Sequence, residues 1–109
     1  MIHISLIGDS VFDNKSYVGE AGTDVITHLR NMLPDQSKAS LIANDGDVIK
    51  KVSDEQISRI PSTSTHLIIS VGGNDAIMNA DILNLEMGTS AEVLSEISGR
   101  QKIFENDYT

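Results

Sequence analysis

Residues 2–10 read IHISLIGDS, a short apolar stretch that ends in a glycine followed by polar residues. Two later segments repeat this arrangement, ASLIANDG at 39–46 and HLIISVGGND at 66–75. Near-continuous apolar runs without polar alternation are typical of strands that are covered on both faces, and such strands are usually parallel. The sequence therefore predicts three parallel strands, over residues 2–7, 39–43 and 66–71.

Helical patterns separate and follow these strands. Apolar residues at helical spacing over 25–33 predict a helix that Pro34 ends, and a similar pattern over 49–60 ends at Pro61. A short helix is predicted over 76–85, and a last helix begins where Thr89 or Ser90 can cap it. This last helix has one apolar face, expected to be core or interface, that consists of Leu94, Ile97, Phe104 and Tyr108. The order β-α-β-α-β-α-α predicts one α/β domain over residues 1–109, with right-handed crossovers.

The composition restricts the function classes. Eight basic and 16 acidic side chains in 109 residues leave a net charge of −8. A surface of that sign repels phosphate backbones and anionic lipid headgroups, so neither nucleic acid nor a membrane is expected as the main partner. The absence of cysteine excludes disulfides and thiolate metal sites, and it fits a cytoplasmic protein. The apolar N-terminus is too short to span a membrane and lacks the basic region of a signal peptide.

All three predicted strands end in polar loops, and this fact bears on function. In an open parallel sheet, ligands bind outside the carboxyl ends of the strands. Ser10, Gly46 and Asn74 follow the three strands, so we expect them at the same sheet edge. Ser10 offers a hydroxyl nucleophile, Gly46 a backbone N–H without a Cβ beside it, and Asn74 a neutral amide donor. A nucleophile with convergent donors is the minimum for acyl transfer through a tetrahedral intermediate.

Each of these three residues also has a plain structural alternative. Ser10 would then be an ordinary helix N-cap, Gly46 a glycine kept for turn conformation, and Asn74 a turn-stabilising side chain. The acidic residues of the same loops, Asp9, Asp45, Asp47 and Asp75, offer another alternative, a site for a hard cation, although their spacing matches no known metal loop.

The three loops resemble the sequence blocks of the SGNH hydrolases, also called GDSL-type esterases and lipases. The matching segments are Gly8-Asp9-Ser10, Asn44-Asp45-Gly46 and Gly72-Gly73-Asn74-Asp75. The resemblance implies a flavodoxin-like three-layer sandwich, of which this chain would supply about three strands in the order 2-1-3. It also implies ester hydrolysis on small molecules without a metal or cofactor.

By that resemblance, Ser10 is the nucleophile, and the oxyanion hole consists of the backbone N–H groups of Ser10 and Gly46 with the Asn74 side chain. Asp9, Gly73 and Asp75 would support these residues from behind, with the two carboxylates accepting N–H hydrogen bonds from the loops. No G-x-S-x-G motif, Walker A motif or G-x-G-x-x-G motif occurs after the first strand, so an α/β-hydrolase or nucleotide-binding domain is disfavoured.

One family block is missing, the D-x-x-H that supplies the general base and its orienting carboxylate. We therefore expect a domain that is C-terminally truncated relative to the family and weak or inactive alone. His3 and His66 open strands, which puts His3 about 23 Å from Ser10, and His28 lies within the first long helix. The alternative is a non-catalytic α/β binding module that keeps the pocket.

The third strand would form a sheet edge, and we expect self-association through it.

Overall fold

A computed structural model describes residues 1–78 and 88–108. Its centre is an all-parallel sheet of three strands, β1 (His3–Gly8), β2 (Lys38–Leu41) and β3 (His66–Ser70). The strand order is β2-β1-β3. The predicted α/β fold with a three-stranded parallel sheet in the order 2-1-3 is thereby confirmed.

The central strand β1 sets the register of the sheet. Leu6 lies opposite Leu41 of β2 and Ile68 of β3, and Gly8 lies opposite Ser70. Both crossovers bring the chain back to the same end of the sheet, since the pairing is parallel throughout. The polar loops that follow the strands consequently share one edge.

The helices alternate with the strands. Their bounds are α1 (Lys15–Val18), α2 (Val25–Met32), α3 (Ile49–Lys51), α4 (Gly73–Met78) and α5 (Ser90–Tyr108). Helix α2 and the start of α3 confirm the sequence prediction, whereas α1 has no apolar periodicity and was not predicted.

The predicted second helix changes its hydrogen-bonding pattern twice. Helix α3 continues directly as a π-helical turn over Val52–Gln56 and then as a 3₁₀ turn over Ile57–Arg59. We call residues 49–59 the α3 segment. Pro61 follows it, as Pro34 follows α2. The prolines end both segments because proline cannot donate the backbone hydrogen bond that a helix interior requires.

Helical elements cover both faces of the sheet. Successive residues of a strand point to opposite faces. Leu6 packs with Ile26 of α2 and Ala39 of β2. Ile7 is fully buried on the other face, where the α3 segment contacts β1. The result is a layered arrangement of helix, sheet and helix, with β1 at its centre.

Strand β3 is an open edge of the sheet, as expected, but its exposed side chains correct the prediction of a strand covered on both faces. Leu67, Ile68 and Ile69 are 46%, 44% and 55% exposed, so β3 is not covered on both faces as its apolar sequence predicts. Its outer side pairs with no strand in the described part of the chain. Residues 60–74 contain no Asp, Glu, Lys or Arg, so the charged side chains that commonly protect an edge strand from association are absent from this stretch of the sequence.

The C-terminal helix begins as predicted. Thr89 Oγ1 accepts a hydrogen bond from the Glu92 N–H at 3.2 Å, and the Glu92 carboxylate accepts one from the Gly88 N–H at 2.8 Å. Helix α4 covers the start of the predicted 76–85 helix, and the remainder of that prediction lies outside the described residues.

The apolar face of α5 is largely not core. Leu94 and Ile97 are exposed, which corrects the core half of the prediction. Phe104 and Tyr108 pack together with ring centroids 5.4 Å apart and lie against Gly72 at the end of β3. The last turns of α5 therefore lie against the chain just after β3. No helix in residues 1–78 and 88–108 has both the length and the apolar character needed to cross a membrane.

Candidate active site

The three polar loops meet around the end of β1. The Asp9 N–H donates to the Ser70 carbonyl at 3.0 Å, which ties the first loop to β3. The Gly8 carbonyl accepts from the Asn44 N–H at 3.1 Å, which ties it to the loop after β2. The segment that carries Ser10 therefore lies between the other two loops.

Gly8 makes this junction sterically feasible. Its φ is +132°, in a region that residues with a side chain rarely adopt. A methyl group at this position would lie 1.8 Å from the Ser70 carbonyl oxygen. Glycine is therefore required by both backbone conformation and space, immediately before Asp9 and Ser10.

Ser10 lies in a single turn rather than at the start of a helix. The Asp9 carbonyl accepts from the N–H groups of Phe12 and Asp13, at 3.2 and 3.0 Å. Helix α1 begins only at Lys15, so the alternative of Ser10 as an ordinary helix N-cap is wrong. Ser10 is half-buried, and within the described residues neither its hydroxyl nor its N–H has a hydrogen-bond partner.

Gly46 occupies the third position of a tight turn. The Asp47 N–H donates to the Asn44 carbonyl at 3.1 Å, and the Asn44 side chain donates to the Asp47 carboxylate at 3.0 Å. The φ of Gly46 is +89°, as a type II turn requires at this position. The conformational role considered for Gly46 is therefore real. Its N–H makes no hydrogen bond within the described residues and is available as a donor.

Asp45 fastens this turn to the first loop. Its N–H donates to the Asp13 carboxylate at 2.7 Å. Its own carboxylate accepts from the Tyr17 hydroxyl at 3.0 and 3.1 Å. The hydrogen bond to Asp45, together with its negative charge, raises the pKa of Tyr17 above 10.0. The Gly46 turn is thus held from its outer side by residues that follow β1.

Asn74 connects the third loop to the second. It lies in the first turn of α4, half-buried, and its Nδ2 donates to the Asp47 carbonyl at 3.0 Å. This bond fits the structural alternative for Asn74, but an amide nitrogen carries two hydrogens, so one is left for a ligand.

The residues expected to support the site lie directly behind it. The Asp9 carboxylate is buried and accepts from the Val11 N–H at 3.1 Å. The Asp75 carboxylate accepts from the Ile49 N–H at 3.0 Å. A methyl group at Gly73 would lie 3.9 Å from Asp9 Oδ2, which puts the third loop against the first. Asp9 thus accepts a loop N–H bond, as the sequence analysis expects, whereas Asp75 accepts the N–H of the first residue of α3.

Gln56 belongs to this site and was not found from the sequence. It is 1% exposed, and its amide pairs with the Gly8 backbone: Oε1 accepts from the N–H at 2.8 Å and Nε2 donates to the carbonyl at 2.7 Å. Nε2 also donates to Asp47 Oδ2 at 2.7 Å. The sequence did contain an indication of its role, because position 56 falls on the same buried helical face as Ile49 and Val52. A polar residue is unusual on such a face.

None of the three histidines is positioned to activate Ser10. His3 is buried at the start of β1, and its ring bonds Thr63 and Ser40 at 2.8 and 2.7 Å. His3 and His66 open β1 and β3, at the sheet end opposite Ser10. His28 is exposed on α2.

The alternative of a cation site gains no geometric support. Within residues 1–78 and 88–108, no three potential metal-ligating side chains lie together. Asp45 bonds Tyr17, and Asp47 bonds Asn44 and Gln56. These carboxylates are engaged with protein donors.

Neither the protein-family models nor the curated proteins include a match to this chain. A function for this sheet edge therefore has to follow from its own residues.

Proposed function

We propose that this chain carries the nucleophile and the oxyanion hole of a serine hydrolase of the SGNH type, acting on a small-molecule ester. In the reaction, Ser10 Oγ attacks the acyl carbon. The N–H groups of Ser10 and Gly46 and the Nδ2 of Asn74 donate hydrogen bonds to the oxyanion that develops. A base from outside these residues takes the proton of the Ser10 hydroxyl during the attack and gives it to the alkoxide of the ester as it leaves, and water then hydrolyses the acyl-serine.

The observation that carries this proposal is the hydrogen-bonded linkage of the three loops at one sheet edge. Asn74 bonds the carbonyl of the residue that follows Gly46. The Ser10 turn lies between the strand ends to which these loops belong, through the Asp9–Ser70 and Gly8–Asn44 bonds. Preorganised donors of this kind are effective because they need no rearrangement when charge develops.

Asp9, Gly73 and Asp75 act as supports in this proposal. Asp9 orders the turn that carries Ser10 through its bond to the Val11 N–H. Asp75 fastens the loop of Asn74 to the α3 segment through Ile49. Gly73 lies in the third loop beside the Asp9 carboxylate. None of the three touches the substrate.

Catalysis by the chain alone is expected to be weak. A serine without a base retains little nucleophilicity, and the sequence contains no D-x-x-H. The positions of all three histidines support the second candidate, a non-catalytic binding module that holds a carbonyl or carboxylate group against the same donors.

The proposal also covers cofactor, partners and location. No cofactor takes part in it. The net charge of −8 argues against nucleic acid and anionic membranes as partners, and the absence of cysteine fits a cytoplasmic location.

A fluorophosphonate probe separates the two candidates when imidazole is supplied as an external base. The serine oxygen displaces fluoride, and mass spectrometry locates the adduct. We expect an adduct on Ser10 that Ser10→Ala abolishes, with slower labelling in Asn74→Ala. A wild-type chain that stays unlabelled with imidazole, or an adduct that persists in Ser10→Ala, rules out the hydrolase and leaves the binding module.

A further inference from the structure

The side-chain amide of Gln56 completes the sheet where β2 leaves it. Strand β2 ends at Leu41, and the next two N–H groups, of Ile42 and Ala43, both donate to the Leu6 carbonyl at 2.9 Å. β1 continues to Gly8, whose N–H then has no β2 carbonyl to bond. Gln56 supplies that acceptor and also a donor to the Gly8 carbonyl.

Gly8 is consequently held on both sides. Gln56 pairs with it from the β2 side, at 2.8 and 2.7 Å. On the β3 side, the neighbouring Asp9 N–H bonds the Ser70 carbonyl at 3.0 Å. Ser10 follows two residues after this clamped position, so the path of its backbone depends on the clamp.

The same amide reaches the second and third loops. Gln56 Nε2 donates to Asp47 Oδ2 at 2.7 Å, and the Asp47 carbonyl accepts from Asn74 at 3.0 Å. One continuous set of hydrogen bonds thus runs from Gly8 through Gln56 and Asp47 to Asn74. It joins the serine loop, the Gly46 turn and the Asn74 helix.

The backbone that carries Gln56 is itself unusual. The α3 segment widens into a π-helical turn over Val52–Gln56, and Gln56 is its last residue. Such turns are rare, and single ones occur frequently at functional sites. Here the widened turn carries a buried polar side chain whose three hydrogen bonds all go to the loops of the candidate site.

We infer that Gln56 is a positioning residue, which holds Ser10 and Asn74 in the mutual arrangement that the oxyanion requires. This inference rests on the proposed function. Gln56 has no contact with the substrate and acts through Gly8 and Asp47. Catalytic groups must be held within about 0.5 Å of their productive positions, and a single amide that bonds two loops is suited to that task.

The test compares Gln56→Met with Ser5→Ala in the whole chain. Methionine keeps the volume of Gln56 and removes its hydrogen bonds. Ser5 is as buried as Gln56 and lies on β1, the strand that Gln56 bonds at Gly8, and its hydroxyl bonds Ser64 at 2.6 Å, away from the site. Both variants are expected to lower the melting temperature. Only Gln56→Met should slow fluorophosphonate labelling of Ser10 in imidazole, by at least about tenfold.

A second readout is independent of chemistry at Ser10. In ¹⁵N-labelled protein, Gln56→Met should shift the signals of the Asn74 side-chain amide and the Gly46 N–H, whereas Ser5→Ala should leave both unchanged. Should Gln56→Met not fold, Asp47→Ala cuts the same chain of bonds at a half-buried residue and should shift the Asn74 signals. Unchanged Asn74 signals, or equal slowing of labelling by Ser5→Ala, would overturn the positioning role. An unlabelled wild-type chain would overturn the proposed function alone.

Discussion

The side-chain amide of Asn74 donates a hydrogen bond of 3.0 Å to the main-chain carbonyl of Asp47. The two residues are 27 positions apart and follow different strands. Asp47 directly follows Gly46, so this bond holds the peptide that ends the glycine turn beside the amide of Asn74. Two of the three donors proposed for the oxyanion hole, the Gly46 N–H and the Asn74 amide, therefore lie on segments that one specific contact links.

The first prediction concerns catalysis. The isolated chain should hydrolyse p-nitrophenyl acetate only slowly, because none of its histidines is placed to take the proton of Ser10. Added imidazole should make wild type hydrolyse p-nitrophenyl acetate faster than Ser10→Ala does. Measuring Ser10→Ala in parallel corrects for the hydrolysis that imidazole itself causes. Brisk hydrolysis that needs Ser10 but no imidazole would contradict the expectation.

The second prediction compares two glycines. Gly8→Ala should lower the free energy of unfolding by more than about 3 kcal/mol, since it adds backbone strain and forces a methyl group onto the Ser70 carbonyl. Gly46→Ala adds only backbone strain, because a methyl group there meets no atom within 4 Å. It should lower the free energy of unfolding by about 1–2 kcal/mol. Urea unfolding of both variants checks the order, and equal losses would show that the contact with Ser70 is unimportant.

The third prediction concerns stability in acid. Asp24 caps α2, and the hydrogen bond from the Thr27 hydroxyl, with a further one from its N–H, lowers the pKa of Asp24 below 3.8. A lowered pKa adds stability above pH 3.8, and this is lost as the pH falls through the folded-state value. In Asp24→Asn the cap remains but cannot titrate, so its melting temperature relative to wild type should rise as the pH is lowered. A difference in melting temperature between Asp24→Asn and wild type that stays the same at every pH would contradict this.

The fourth prediction concerns Tyr17 and Asp45. Because their hydrogen bond raises the pKa of Tyr17, its stabilising contribution is complete below pH 10.0 and lost as the pH rises through the folded-state value. Asp45→Asn removes the charge and should lower the midpoint of the Tyr17 titration, followed by the ¹³C shifts of its ring. An unaltered midpoint would mean that Asp45 does not hold the hydroxyl in solution.

The fifth prediction concerns the edge strand. We expect the chain to self-associate through β3, whose outer backbone has no partner strand among the described residues and whose apolar side chains are exposed. Ile69→Lys, at a 55% exposed position, should reduce association in light scattering. Met32→Lys is the control, because Met32 is 82% exposed on α2, which packs mainly against β2. A wild-type monomer at high concentration would argue against this interface.

The fold was largely predictable from local patterns. Apolar runs that end in polar loops located the three strands to within one or two residues, and the prolines located the ends of two helical segments. Predicted burial was less successful. Leu67–Ile69 of β3 and the apolar Leu94 and Ile97 of α5 are exposed, since burial depends on which elements pack against them.

The candidate site was predicted only in part. Ser10, Gly46 and Asn74 could be assigned to one edge because parallel strands align their carboxyl ends. The contacts between these loops could not be predicted. Gln56 was overlooked because its partner Gly8 lies 48 residues away, and the hydrogen bonds of the His3 ring to Ser40 and Thr63 likewise join segments far apart in the chain.

By itself, the amino-acid sequence determined the order of strands and helices, the polar loops that follow each strand, and the lack of charge along β3. These properties are local, because they depend on residues within a few positions of one another. Only the tertiary structure decided that Gln56 pairs with Gly8, that Asn74 bonds Asp47 and that His3 is buried. Each of these depends on how distant segments pack, since a hydrogen bond forms only where packing brings its donor and acceptor within about 3 Å.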